Sequence, residues 1–159
     1  MIRRQANGLA YYTFDVLDRY PELVNAVTTR HGGVSQGRYA SLNFGQFVGD
    51  EPEAVAENTR RIAGALDIRG DYIVRPRQRH TARVLRVDRS ARGSIFDGYD
   101  ILVTADTDVP LQMVYADCVP VLLYDPAARA VALVHSGWRG TVQGAPRAAV
   151  EALQREFGS

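Results

Sequence analysis

Lysine is absent from this chain of 159 residues, and all 19 basic side chains are arginine. They stand against 18 acidic ones, for a formal net charge of +1. That balance argues against a chain built to coat nucleic acid or an acidic membrane. The single cysteine excludes an intramolecular disulfide, and with it a disulfide-stapled secreted scaffold. No apolar run nears the roughly 18 residues of a membrane span, and the opening Met1-Ile2-Arg3-Arg4 lacks the apolar core of a signal peptide. Neither G-x-G-x-x-G nor G-x-x-x-x-G-K-[ST] occurs, which removes the dinucleotide-binding and P-loop readings. The expectation is a soluble cytoplasmic protein with neither membrane nor nucleic-acid partners.

What is present suits one domain spanning residues 1–159, since 46% of the residues are hydrophobic and a chain of this length can bury a real core. Pro52 fits a first helical position. Glu51, Glu53 and Glu57 favour the positive N-terminal end, and Val55, Ile62 and Leu66 fall near one face, so a helix begins there. Apolar runs predict strands over 24–29, 72–74, 84–87, 101–103, 111–115, 119–124 and 130–135, and the closing amphipathic stretch predicts a helix over 141–157. Helix, many strands, then helix indicates an α+β arrangement rather than strict alternation.

The scarcest reactive side chains are that cysteine and three histidines. Asp125-Pro126 is a favoured start for a type I turn, and the apolar runs around it make a hairpin. A turn centred between Pro126 and Ala127 sets Cys118 opposite His135, with Cβ atoms about 4.5–5.5 Å apart. Such a pair could share a zinc ion, act as a Cys–His nucleophile, or be a buried cysteine beside a strand-end histidine. Gln78-Arg79-His80 offers a third ligand in His80. Seven arginines from Arg75 to Arg92 form the most basic stretch, a solvated face or an attractor of anions, but no helical reading motif accompanies them. Ser136-Gly137-Trp138-Arg139-Gly140-Thr141 leads from a strand into a helix. It reads either as an oxyanion-holding turn, with Arg139 adding a bidentate phosphate contact, or as a plain turn with Trp138 filling the core.

Several longer pieces carry a resemblance: Thr28-Thr29-Arg30-His31-Gly32-Gly33-Val34-Ser35, Ser41-Leu42-Asn43-Phe44-Gly45, Val48-Gly49-Asp50 and Asn58. They continue with Gln78-Arg79-His80, Ala116-Asp117-Cys118-Val119-Pro120-Val121-Leu122-Leu123 and His135-Ser136-Gly137-Trp138-Arg139-Gly140. In this order the sequence resembles the YfiH-type, laccase-domain (multicopper polyphenol oxidase-like) purine nucleoside phosphorylase family. The resemblance implies a mixed-sheet α/β/β/α sandwich of the cysteine-hydrolase type, with His80, Cys118 and His135 as metal ligands and catalytic residues. It also implies zinc-dependent phosphorolysis of adenosine, inosine and guanosine to free base and ribose 1-phosphate, with adenosine deamination and methylthioadenosine phosphorolysis as further activities.

On that reading the partners are purine nucleosides and phosphate, together with self-association. Arg30, Ser35, Asn43 and Arg139 are expected to bind substrate or phosphate, and His31 is left without a role. Thr81, Tyr115 and Ser136 stand where the family commonly has glycine, threonine and alanine. Family members continue past Gly158-Ser159 with an Ile-Gly-Pro and a Cys-Tyr-Glu segment, so a part of the family's C-terminal region is expected to be missing. Two other chemistries fit the same residues: a copper-dependent, laccase-like polyphenol oxidase, and a metal-independent Cys–His amide hydrolase. A remnant that binds without catalysis is the non-enzymatic alternative.

Overall fold

The computed structural model describes residues 1–159, which divide into two compact units, 1–70 and 71–159. No helix is long and apolar enough to cross a membrane.

The first unit opens with a hairpin of β1 (Ile2–Ala6) and β2 (Leu9–Thr13), paired from Ile2 opposite Thr13 to Ala6 opposite Leu9. Asn7 and Gly8 join them with φ of 49° and 78°, the left-handed pair that a two-residue turn needs to match strand twist. A single helical turn, α1 (Asp15–Asp18), follows. The strand predicted over 24–29 shortens to β3 (Val27–Thr28), antiparallel to β2.

Helix α2 (Pro52–Leu66) starts at the expected proline and stops where Asp67 turns left-handed at φ 53°. Its Ile62 packs with Leu9 and Leu42. Asn58, wholly buried, ties the intervening loop to the helix. Its amide donates to Ser35 Oγ, Ser41 O and Asn43 O, and its Oδ1 accepts from Val34 N, all within 3.2 Å. Gly33 meets this loop so closely that a Cβ there would lie 2.0 Å from Ser41 O.

The second unit contains β4 (Arg75–Arg77), β5 (Val84–Arg86), β6 (Ile95–Asp97), β7 (Ile101–Thr104), β8 (Val119–Asp125) and β9 (Ala130–Ser136), then α3 (Trp138–Val142) and α4 (Ala145–Phe157). β4 and β6 form a parallel pair, and the larger sheet runs β5-β7-β9-β8. β5 is parallel to β7 while the other two pairings are antiparallel, so the sheet is mixed, as the resemblance implied.

Central strand β7 is buried at every residue, and its alternating side chains feed two cores. Ile101 and Val103 pack with Ala145, Ala149, Ala152 and Leu153 of α4, whose small alanines admit the helix against the sheet. Leu102 packs on the other face with Val74, Val87 and Met113. Burying one such leucine contributes about 1.5–3 kcal/mol.

Three expectations are corrected. The strand predicted over 72–74 begins later, at Arg75, and Val74 makes only an isolated bridge to Leu111. Residues 111–115 form no strand; the segment uses its apolar side chains, Leu111, Met113 and Tyr115, as a cover for Leu102 and its neighbours. The closing helix is interrupted, because Gly144 adopts φ 79° and a new helix starts at Ala145 with Pro146 in its first turn.

Candidate metal centre

The hairpin that carries Cys118 and His135 closes differently from the expectation. Asp125 Oδ1 accepts from Ala127 N at 2.8 Å and Ala128 N at 3.4 Å, and Arg129 turns left-handed at φ 51°. That wider loop pairs Asp125 with Ala130 and Val119 with Ser136. Proline 120 therefore faces His135, and Cys118 lies just ahead of β8. The shift is by two residues rather than one, so every side chain keeps its face. Cys118 becomes a diagonal neighbour of His135 instead of its direct partner, still within reach for long side chains.

His80 arrives from a separate turn after β4, at φ 59°, and Asp117 at φ 71° turns the chain just before Cys118. The ligand atoms of His80, Cys118 and His135 all lie within 4.8 Å of one another. The two imidazole rings meet edge to face, 4.9 Å between centroids and 64° between planes. His135 is buried, His80 exposed and Cys118 between the two, so the cluster opens to solvent on the His80 side.

Beneath the cluster lies Asp100, fully buried at the residue before β7. Its carboxylate accepts from His135 Nδ1 at 2.7 Å, His80 N at 3.0 Å, Arg79 N at 3.0 Å, Thr81 N at 2.9 Å and Thr81 Oγ1 at 3.0 Å. Burial alone would raise this carboxyl, but the hydrogen bonds from His135 and the Arg79–Thr81 turn outweigh it and hold the group down at about 2. Tyr115 packs against His135 at 5.6 Å between ring centroids and donates its hydroxyl to Val134 O, and burial pushes its phenol up.

Two glycines make room. A Cβ at Gly137 would lie 2.8 Å from His80 Nδ1 and 3.0 Å from Cys118 Sγ, and one at Gly140 would lie 3.2 Å from Thr81 O. Thr141 Oγ1 holds this turn by donating to Gly137 O, and also meets Ser136 Oγ at 2.8 Å.

Two imidazoles and a thiol form a borderline-soft donor set that suits zinc or copper, and a carboxylate behind one imidazole is the usual support for a ligating histidine. The side chains present therefore fit a metal ion. Were all three to serve as ligands, a further position would stay open for water or substrate.

The remaining expected site residues lie elsewhere. Arg139 is on α3 with its guanidinium 5.2 Å from the Trp138 ring, and Trp138, 73% exposed, does not fill the core. In the first unit, Arg30 donates through Nε and Nη2 to Ala40 O, while Ser35 Oγ and Asn43 Nδ2 both donate to Asp50 Oδ2. Met113, the one methionine besides Met1, is packed in the apolar cluster around Leu102. Asp100 and the spatial role of Gly137 escaped the sequence reading. The signal for Asp100 was an acid placed directly before the apolar run Ile101-Leu102-Val103.

A family model described as multi-copper polyphenol oxidoreductase laccase matches residues 24–159. A purine nucleoside phosphorylase of Corynebacterium glutamicum is 44% identical over 118 residues, covering 74% of this chain and 48% of the relative. Another purine nucleoside phosphorylase, from Bacteroides thetaiotaomicron, is 35% identical over 153 residues, covering 92% and 57%. The chain thus spans about half the length of the curated relatives it matches. Among solved structures, YfiH of Bacillus licheniformis superposes with a TM-score of 0.90 at 28% identity, over 99% of this chain and 60% of that one. YlmD of Geobacillus stearothermophilus superposes with a TM-score of 0.86 at 34% identity, over 98% and 59%. By the extent of the model match and the shared fold, the chain belongs to the multi-copper polyphenol oxidoreductase laccase family, the YfiH-like proteins.

Proposed function

We propose that the chain carries the metal site of a zinc-dependent purine nucleoside phosphorylase, acting on adenosine, inosine or guanosine. The observation that carries this reading is the convergence of His80, Cys118 and His135 ligand atoms within 4.8 Å, in a chain whose relatives are named purine nucleoside phosphorylase. His80, Cys118 and His135 hold the ion, His135 through the nitrogen not bonded to Asp100. The bound ion supplies a Lewis acid and can lower the pKa of a bound water, which suits adenosine deamination as a side activity.

The residues of the chain orient and admit the substrate. The exposed His80 side of the cluster and the missing side chain of Gly137 leave the approach open. Arg139, in α3 just after β9, is the phosphate contact proposed in the second unit, through the fork geometry of its guanidinium. In the first unit Arg30 is the candidate for an anion. Ser35 and Asn43 direct their donors to Asp50, so they act there by holding the glycine loop. In phosphorolysis the glycosidic C1′–N bond breaks and a C1′–O bond to phosphate forms, giving ribose 1-phosphate and the free base. The setting we assign to this chemistry is the cytoplasm.

Copper-dependent polyphenol oxidation remains the second reading, because a His₂Cys set accepts copper as readily as zinc. The test is to load the chain with zinc and supply inosine or adenosine with and without phosphate. Base release that requires phosphate is expected. Base release independent of phosphate, or turnover of a polyphenol by copper-loaded chain alone, overturns the phosphorylase reading.

A further inference from the structure

Resting on the metal-site reading above, we propose that Asp100 is a positioning residue that clamps both histidine ligands with one carboxylate and fixes His135 to coordinate through Nε2. Five donors converge on this fully buried side chain, and they come from both sides of the site. Oδ1 takes His135 Nδ1 and the main-chain N–H of His80; Oδ2 takes the main-chain N–H groups of Arg79 and Thr81 and the Thr81 hydroxyl. The main chain of Asp100 adds a third tie, since its carbonyl accepts from His135 N at 2.8 Å.

The chemistry follows from donor and acceptor inventory. A carboxylate only accepts, so the 2.7 Å bond puts the proton on His135 Nδ1 and leaves the Nε2 lone pair as the ligand. A neutral imidazole allowed to choose would divide between two tautomers. Here the choice is made before any metal arrives. The same carboxylate holds three successive N–H groups of the Arg79–Thr81 turn, which keeps His80 at its left-handed φ of 59°. A positive φ is uncommon for any residue but glycine, and these three bonds help to hold His80 in it. One residue therefore registers an exposed ligand against a buried one, although they come from distant parts of the chain.

An amide cannot do this. In D100N, whichever way the amide is turned, its NH₂ group meets donors: His135 Nδ1–H and His80 N–H on one side, or three donors of the Arg79–Thr81 turn on the other.

The test is long-range ¹⁵N–¹H NMR of the imidazoles in metal-free and zinc-loaded chain, together with zinc affinity by chelator competition. The chain has only three histidines, and exposed His31 serves as the unconstrained reference. In metal-free wild type His135 is expected as the single Nδ1–H tautomer, and zinc is expected to shift its Nε2 while the Nδ1 proton stays. In D100N the tautomer preference is lost and zinc binds about 10–100-fold more weakly. Thr81→Val, which removes one donor but keeps the carboxylate, is expected to retain the wild-type tautomer.

An Nε2–H tautomer in wild type overturns the proposal, and that spectrum needs no variant to fold. Folded D100N with zinc affinity within twofold of wild type overturns it as well. Failure of wild type to bind zinc at all contradicts the metal-site reading itself, whereas tight wild-type binding with an indifferent D100N contradicts the clamp alone.

Discussion

A Cβ added to Gly137 falls 2.8 Å from Nδ1 of His80 and 3.0 Å from Sγ of Cys118, so this glycine is needed for space and not for backbone freedom. Its φ of −71° and ψ of 167° are open to any residue. Gly137→Ala should therefore fold with a melting temperature close to wild type while losing zinc affinity by at least about tenfold, a loss of the size usual for disturbed metal surroundings. Chelator competition and a thermal melt on the same sample check both halves. Unchanged affinity would show that the cluster does not need this opening.

Asn58 is the corresponding anchor of the first unit, and its role is structural. Alanine at this position leaves Val34 N without its acceptor and removes three donated hydrogen bonds in a fully buried place. Each stranded group costs about 1–3 kcal/mol. Denaturant unfolding of Asn58→Ala should show a loss of at least about 2 kcal/mol. Serine 35, which receives one of these bonds, should tolerate alanine better because Asp50 retains Asn43.

On α2, Arg60 and then Arg61 hydrogen-bond Glu57 and hold its carboxyl at about 2, below its ordinary 4.5. A depressed carboxyl stabilises the folded chain at pH above its unfolded value and loses that contribution as pH falls through the folded one. The melting-temperature advantage of wild type over Glu57→Gln should thus be constant near neutrality and shrink between about pH 4.5 and 2. The effect is small because the partners are solvent-exposed. An advantage that persists unchanged at pH 2 contradicts the pairing.

Leu102 tests the packing link directly, because it is fully buried on a strand that faces two cores. Leu102→Ala should cost about 2–5 kcal/mol, read from denaturant unfolding, with the spread set by how far Val74 and Met113 can close the cavity.

Much of this was legible in the residues. Pro52 marked the start of α2, and Asp125-Pro126 marked the hairpin that brings Cys118 near His135. The exact pairing was not legible, because it depends on Asp125 capping Ala127 and Ala128 and on Arg129 turning left-handed, a loop two residues wider than the simplest turn. Asn7-Gly8 is a strong two-residue hairpin signal that went unread, and it builds β1 and β2. The segment 111–115 has a strand's composition, but tertiary packing uses its side chains as a cover instead. Asp100 could not be found by spacing at all. Its partners lie some 20 residues before it and 35 after it, and only the folded sheet brings them together.

The most direct measurement is the zinc stoichiometry of wild type and of Cys118→Ala after loading and desalting, read by elemental analysis. One equivalent in wild type and loss of most of it in Cys118→Ala is expected, because Cys118 is the one sulfur donor in the cluster. Equal zinc content in the two proteins, or none in wild type, would contradict the assignment of His80, Cys118 and His135 to a single metal centre.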